Sequence, residues 1–458
     1  MGRALREGGA PVFWTVNGTQ IKAREYARFV FPVALEHGVT MAVGILLSAL
    51  MGGVSRSALA AASVPNQVIN VYNALFSLLT SGAAVITSRL LGAGDRREAG
   101  RTIEGSMLMA VAASVAMALL SLLLAEPFMR LLMPSAEAEL LNESVVYFRV
   151  LILSFPFLAV YNVLSSVMRA ADNSRSPMLA AFAMNAVQVA AIMALMRGLR
   201  MGMTGAALSY LLCRMAGAGL LFFICLKEHE RFRVTVKGMA TPRKEILKRI
   251  LRVGLPTSVE SGFVQMGYLV ANMLVIGLGT WRATVFNISN SLLGMASMPS
   301  AISTATVTTF VGHQLGAGDK PGAKRSALRI LAVGFAVSMT LSFSIAALGV
   351  PLSGLYTDDM ETARESARML WILIGYNICS ISINTLDPAL RVGGDVKYVM
   401  WQTTLCVWLI RIPLSWLMAY RMDMGVAGIL WANILSLAVR MAAGWIRFAK
   451  GKWMNMRV

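Results

Sequence analysis

Charge is scarce in this chain of 458 residues. Asp, Glu, Lys and Arg make up 14% of it and hydrophobic residues 57%, whereas an ordinary soluble domain carries roughly 25% charged residues. Long stretches, including 107–125 and 331–357, have no charge at all. Because about 20 apolar residues in a helix cross the hydrocarbon core of a bilayer, this deficit excludes a soluble globular protein and predicts one with many membrane-spanning segments.

Residues that carry catalysis or hold metals are also few. The 3 histidines and 4 cysteines show no spacing typical of a metal site or a disulfide framework. The HExxH, GxSxG and Walker motifs are absent, and each of those supplies a specific reacting group or phosphate cradle. We therefore expect no enzyme, no metal and no cofactor. Residues 1–26 lack the apolar core of a cleavable signal peptide.

The apolar residues fall into a series of separate runs. In hydrocarbon only helices or closed barrels satisfy the backbone, and runs this long and rich in Leu, Ala and Met favour helices. The sequence thus predicts an all-α polytopic membrane protein with twelve transmembrane helices, at 28–51, 59–86, 107–125, 144–168, 177–198, 203–226, 250–277, 283–310, 328–350, 366–390, 399–420 and 424–446.

Basic residues are distributed unequally between the two sides of these helices. The net charge is +19, which in a soluble chain would suggest nucleic acid. Here thirty Lys and Arg flank the helices on the side of the two termini, against eight on the other side. The positive-inside rule then places both termini in the cytoplasm. We expect a bacterial inner-membrane protein in contact with the lipid bilayer, with no nucleic-acid partner.

The two halves of the chain repeat. Residues 31–95 align with 255–319 without a gap, and 12 of the 65 positions are identical. The identities cluster in Pro-x-x-x-Glu-x-Gly, at 32–38 and 256–262, and in Leu-Gly-Ala-Gly-Asp, at 91–95 and 315–319. A second match, at an offset of 222, pairs Arg-x-x-x-Asn-x-Arg at 169–175 with Arg-x-x-x-Asp-x-Lys at 391–397.

The order of the motifs is the same in both halves, which predicts two six-helix lobes related by a parallel pseudo-two-fold axis along the membrane normal. The predicted parts are a cytoplasmic N-terminal segment (1–27), an N-lobe (28–226), a cytoplasmic linker (227–249), a C-lobe (250–446) and a basic cytoplasmic tail (447–458). In secondary transporters of this kind the substrate site lies between the repeats, and we expect a monomer.

Three carboxylates lie well inside apolar segments: Glu36, Glu260 and Asp387. Intramembrane acids are costly and indicate function, so each is a candidate to bind the coupling ion or a cation. The alternative is a structural role, with the acid held by a neighbouring polar side chain. Polar residues at helical spacing predict a wet substrate cavity, although hydrogen bonding between helices would explain them equally well: Asn66, Asn70, Asn73, Asn290, Tyr376 and Asn384.

The doubled motifs resemble those of the multidrug and toxic compound extrusion (MATE) transporters, bacterial branch. The residues that carry the resemblance lie in the cytoplasmic loops: Gly92, Gly94, Asp95, Gly316, Gly318, Asp319, Arg169 and Arg391. The resemblance implies a central cavity between two lobes and the export of small organic, cationic or amphiphilic compounds. It also implies alternating access driven by inward H⁺ or Na⁺.

Two features depart from the family pattern and leave the coupling ion open. Some members carry an acid midway along helix 1, where this chain has Leu47, or one turn after Asn185, where it has Val189. The alternative function is a flippase for a lipid-linked precursor, since related two-lobe transporters move such lipids. Arg149 and Arg411 are the only basic candidates near mid-helix, against three acids, and this balance favours cationic or neutral cargo over a diphosphate.

Overall fold

A computed structural model describes residues 12–16, 19–52, 56–133, 138–228, 232, 234–235, 238–239 and 243–456. By contacts, the chain forms two compact units. The N-unit comprises residues 28–255 and the C-unit comprises 1–27 with 256–458. The C-unit begins with an antiparallel hairpin of β1 (Val12–Val16) and β2 (Thr19–Lys22), which the all-helical prediction did not include.

The helices of the N-unit follow the predicted segments. Its core is aromatic and aliphatic, with Tyr147, Phe148 and Phe155 fully buried. The helices are α1 (Ala23–Gly52), α2 (Arg56–Gly92), α3 (Arg96–Leu123), α4 (Ala125–Leu132), α5 (Ala138–Leu153), α6 (Phe155–Ala170), α7 (Arg175–Ile192) with a π-helical extension (Met193–Gly198), and α8 (Gly202–Lys227).

The C-unit repeats this order around a core that includes Val285, Leu292 and Leu373. Its helices are α9 (Lys244–Gly277), α10 (Thr280–Ala296), α11 (Met298–Gly316), α12 (Lys320–Ala347), α13 (Gly349–Ser353), α14 (Met360–Gly393), α15 (Val396–Leu405), α16 (Ile412–Trp416) and α17 (Gly425–Ala449). Two π-helical segments, Cys406–Arg411 and Leu417–Arg421, flank α16. The first residues of α9 belong to the N-unit.

Several predicted spans are broken rather than continuous. Among the described residues, nine helices are long and apolar enough to cross a membrane, or ten if α5 and α6 count as one span bent by 47° at Ser154. The two other predicted segments lie in α1 and in the pair α10–α11, which is interrupted at Ser297. A proline follows each break within two residues, at Pro156 and Pro299, and proline cannot donate the backbone hydrogen bond that would continue a helix.

The Leu-Gly-Ala-Gly-Asp motifs form the same tight turn in both units. Gly94 and Gly318 adopt positive φ angles of 80° and 81°, which glycine reaches without steric cost. Asp95 caps α3 by accepting a hydrogen bond from the Glu98 amide at 2.9 Å, and Asp319 caps α12 in the same way. The motifs therefore fold as turns, as their sequence predicts.

The region predicted as a linker is partly packed against the N-unit. Phe232 and Val234 are buried, and the Glu104 carboxylate accepts hydrogen bonds from the Thr235 amide at 2.7 Å and its hydroxyl at 3.0 Å. Helix α9 begins at Lys244, inside the predicted linker. Its Gly254 lies so close to α2 that an added Cβ would collide with the backbone of that helix.

The C-terminal tail packs against the end of α14. Trp453 is fully buried and stacks on Phe448 with ring centroids 5.1 Å apart. A Cβ on Gly393 would lie 2.6 Å from Trp453, so only glycine fits there. Arg447 Nε donates to the Asp395 carboxylate at 2.5 Å. The basic tail is therefore part of the folded C-unit.

Candidate functional site

Glu36, a sequence candidate, lies in the N-unit on α1 and is 8% exposed. Both of its carboxylate oxygens accept from Arg169 Nη1, at 2.9 and 3.0 Å. Arg169 lies in the last turn of α6, where the sequence predicted only a loop motif. A buried ion pair thus joins two motifs that lie 133 residues apart in the sequence.

Glu260 makes the equivalent contact in the C-unit, with additional partners. It is 4% exposed, and Arg391 Nη2 donates to both of its oxygens at 2.8 Å. The Thr403 hydroxyl donates at 2.8 Å and Arg440 Nη2 at 3.2 Å, both to Oε1. The pairing between the Pro-x-x-x-Glu helix and the arginine loop motif is therefore common to both halves.

Asp387, the third candidate, joins this cluster. It is 3% exposed, and its Oδ2 accepts from the same Arg440 Nη2 that contacts Glu260. Its Oδ1 is buried without a hydrogen-bond partner within the part of the chain that the structure describes. One guanidinium nitrogen thus bridges two carboxylates, and the C-unit cluster holds two acids and two arginines.

The N-unit has no counterpart of Asp387 or Arg440 at the aligned positions. At the offsets that align the repeats, the positions of Asp387 and Arg440 are occupied by Ser165 and Gly217. A Cβ on Gly217 would lie 3.3 Å from Met184 and Tyr161, so this position has little room for a longer side chain. The two units therefore share the motif pair, whereas the residues that form the bridge in the C-unit are not repeated at the aligned positions of the N-unit.

These contacts correct one sequence-based interpretation, that the three acids lie among little basic charge. All three are paired with arginine. Arg169, Arg391 and Arg440 approach the acids only in the folded chain, because they come from helices distant in sequence.

Two further arginines, Arg214 in the N-unit and Arg411 in the C-unit, are buried within membrane spans, 8% and 6% exposed. Neither forms an ion pair with any described residue. Arg214 donates to the Ser154 hydroxyl and lies over the Tyr210 ring, and Arg411 lies 4.4 Å from the centroid of the Tyr268 ring. Cation–π contacts contribute about 2 kcal/mol when desolvated, whereas burying an unpaired charge costs several kcal/mol. Ring contacts alone do not offset that cost.

The predicted cavity residues have different environments. Asn70 and Asn73 are exposed, whereas Asn66, Asn290, Tyr376 and Asn384 are half-buried. Asn66 accepts from the Tyr147 hydroxyl at 3.4 Å, and the Asn384 amide donates to Ser380, one turn earlier on its own helix. These two amides are used within their own units. A cavity-lining role for the six residues stays a prediction.

A polar network that the sequence did not single out connects three helices of the C-unit. The Ser297 hydroxyl donates to Asn377 Oδ1 at 2.9 Å, and Asn377 Nδ2 donates to the Ser342 hydroxyl at 2.8 Å. Asn377 directly follows the predicted Tyr376 but occupies another face of α14. Its contacts are typical of the hydrogen bonds that hold membrane helices together.

Among the described residues, no group of three or more His, Cys, Asp or Glu side chains is arranged to hold a metal ion. The four cysteines are buried free thiols, consistent with ordinary packing. The chemistry available in the spans is thus that of paired carboxylates and guanidiniums. Such groups can exchange partners with a small cation or with an ionic cargo.

Known proteins resemble this chain in sequence and in fold. A protein of Thermotoga maritima named "Probable multidrug resistance protein NorM" is 26% identical over 439 residues, covering 94% of this chain and 93% of its own. The multidrug export protein MepA of Staphylococcus aureus is 25% identical and covers 74% of this chain and 77% of its own. The outward-facing structure of a multidrug resistance MATE family transporter has a TM-score of 0.85 at 20% identity, and the match covers 94% of this chain and 96% of that one.

The family comparison follows the internal repeat. The MatE family model matches twice, over residues 32–195 in the N-unit and 256–417 in the C-unit. Each match begins at the proline of a Pro-x-x-x-Glu motif and includes the arginine that pairs with its glutamate. Since the two matches cover more than half of the chain and include the doubled ion pair, the chain belongs to the MatE family of multi-pass membrane transporters and is not an enzyme.

Proposed function

We propose that this protein is a secondary active exporter of small organic, cationic or amphiphilic compounds, driven by inward movement of H⁺ or Na⁺. Its relatives NorM and MepA are named for multidrug resistance and export. The doubled six-helix sequence supports alternating access as the mechanism. Both termini are proposed to lie in the cytoplasm, because most Lys and Arg flank the helices on that side.

The observation that carries the coupling proposal is the bridge formed by Arg440 between Glu260 and Asp387. A guanidinium held by two buried carboxylates acts as an internal cation. A proton or Na⁺ that binds Asp387 neutralises the negative charge of its carboxylate and so weakens the hold of that carboxylate on Arg440. Arg440 would leave Asp387 when the ion binds and return when the ion leaves. Because Asp387 lies on α14 and Arg440 on α17, this exchange would link the binding of the ion to the packing of the two helices.

The energy available from one coupling ion is sufficient for export. An elementary charge that crosses the membrane releases about 2.3 kcal/mol per 100 mV. A tenfold concentration gradient of a neutral cargo costs about 1.4 kcal/mol. One ion per cycle therefore supports a gradient of more than tenfold, and a chemical gradient of the ion adds to this. Export of a monovalent cationic cargo would cancel the energy gained from the membrane potential, because it moves one positive charge outward for each one that enters.

The test uses purified protein in liposomes, with Na⁺ and pH gradients imposed separately and a fluorescent amphiphilic cation as cargo. Glu260→Gln and Asp387→Asn are expected to abolish gradient-driven transport while leaving expression normal. Glu126→Gln is the matched control, because Glu126 also pairs with an arginine, at 2.7 Å, but on an exposed helix face. Wild-type transport by both cluster variants would overturn the coupling role of the cluster. ATP-dependent transport with all ion gradients collapsed would overturn secondary transport.

Flipping of a lipid-linked precursor is the second candidate. The buried Arg214 and Arg411, which form no ion pair among the described residues, favour it because a diphosphate needs cationic partners. The same liposomes distinguish the two functions. A flippase would move a fluorescent diphosphate lipid between leaflets, and the dye would not accumulate against its gradient.

A further inference from the structure

Arg411 is a buried cation with unused hydrogen-bonding capacity. It is 6% exposed and makes no hydrogen bond to any described residue, although a guanidinium has five N–H donors. It lies about 22 Å along the helix axis from the start of its span at Val396 and about 15 Å from the end at Arg421. Charges at such a depth indicate a functional site by default.

An aromatic ring covers Arg411, and a second unused donor lies in the same π-helical segment. The Tyr268 ring lies against the guanidinium, and Tyr376 is also near it. Trp408 belongs to the same π-helical segment as Arg411, and its indole N–H is buried without an acceptor among the described residues. Tyr268 is 41% exposed, so the ring that covers Arg411 is open on one side.

The two buried acids of the cluster in the same unit are occupied by other cations. Glu260 is held by Arg391 and Arg440, and Asp387 by Arg440. Within the described part of the C-unit, Arg411 has no carboxylate partner. A structural ion pair does not explain its burial.

The backbone around Arg411 is also specific to this half. Cys406–Arg411 is π-helical, a rare geometry found frequently at functional sites. At an offset of 222, the aligned positions of the N-unit lie within the regular helix α7, and Val189 aligns with Arg411. The second π-helical segment, Leu417–Arg421, does have a counterpart, Met193–Gly198. The arginine and its π segment are thus an addition to the repeat.

We propose that Arg411, with the Tyr268 ring and the Trp408 N–H, receives an anionic group of the cargo, namely a carboxylate on an amphiphilic body. The guanidinium fork binds a carboxylate with two parallel hydrogen bonds, and the aromatic side chains contact the apolar part. This assignment rests on the proposed export function and narrows its substrate class to molecules that carry a carboxylate, zwitterions included.

The test compares two probes that differ only in this group: a rhodamine dye with a free carboxylate and its methyl ester. Their binding to the purified full-length protein in lipid nanodiscs is measured by fluorescence anisotropy. Wild-type protein is expected to bind the acid more tightly than the ester. In Arg411→Gln the ratio of the affinities for acid and ester is expected to fall by about tenfold to hundredfold, which is the range for a hydrogen bond to a charged group. Arg411→Lys, which keeps the charge without the fork, should retain part of it.

Arg421→Gln is the matched control, because Arg421 lies at the exposed end of the same span and also stacks on an aromatic ring, that of Trp416 at 5.6 Å. It should keep the full preference for the acid. Equal binding of acid and ester by wild-type protein, or an unchanged preference in the Arg411 variants, would overturn the assignment. Gradient-driven transport of the acid in liposomes is measured separately. Its failure, with the binding preference intact, would count against the export function and not against the site.

Discussion

Removal of Arg440 should destabilise the C-unit more than removal of Asp387, because Arg440 keeps Glu260 as a partner when Asp387 is neutralised. Arg440→Gln leaves Asp387 buried with no cation, since Arg391 contacts only Glu260. Breaking a buried ion pair from one side costs about 3–5 kcal/mol. At roughly 2–4 °C per kcal/mol for a unit of this size, the thermal midpoint should fall by roughly 6–20 °C.

The double variant makes the prediction specific. Asp387→Asn combined with Arg440→Gln leaves the neutral pair of Glu260 and Arg391, so most of the loss should be recovered. Residues in direct contact show coupling energies of about 0.5–3 kcal/mol in double-mutant cycles, and we expect a value near the upper end. Tryptophan fluorescence during heating of the protein in nanodiscs reports the midpoints.

Arg130→Gln controls for loss of an arginine as such. Its pair with Glu126 is exposed on both sides, and such pairs are worth about 0–1 kcal/mol. Strictly additive effects of the two substitutions at Asp387 and Arg440 would refute the bridged arrangement. So would a midpoint of the Arg440 variant that equals that of the Arg130 variant.

Three further predictions follow from packing and topology. Gly254→Ala should lower the thermal midpoint, because its Cβ would collide with the backbone of α2, whereas Gly262→Ala on the same helix has open space and should not. Trp453→Ala should cost about 3–5 kcal/mol in unfolding free energy, as for other fully buried aromatic side chains, and should reduce gradient-driven transport, because the tail packs on the end of the helix that positions the Glu260 partner. Single cysteines at Arg96 and Lys320 should react in intact cells only with membrane-permeant reagents. Labelling by an impermeant reagent there would reverse the assigned orientation.

The membrane class and the repeat could be predicted from the sequence because their causes are local or periodic. Apolar segments of about 20 residues satisfy the bilayer whatever their partners are. The turns at Gly94 and Gly318 depend on φ angles that glycine itself permits. The doubled MatE match confirms the resemblance that these motifs indicated.

Breaks within spans were less accessible to sequence reasoning. Ser154 and Ser297 interrupt segments whose hydropathy is continuous, and the π-helical segment at Cys406–Arg411 has no compositional signal. The prolines after both serines were a usable signal. Proline is tolerated within membrane helices as well, so it did not decide between a kink and a break.

The sequence alone determined that Glu36, Glu260 and Asp387 are exceptional, because a carboxylate in an apolar helix is costly wherever the helix packs. Only the tertiary structure decided what neutralises them. Arg169, Arg391 and Arg440 stand 53 to 180 residues away along the chain from the acids they contact, and such distances become contacts only when helices pack. The same packing brings no carboxylate of the described residues to Arg411. An ion pair forms only when charged atoms of different helices come within a few ångströms of each other. That distance is a property of the fold and not of any one sequence segment.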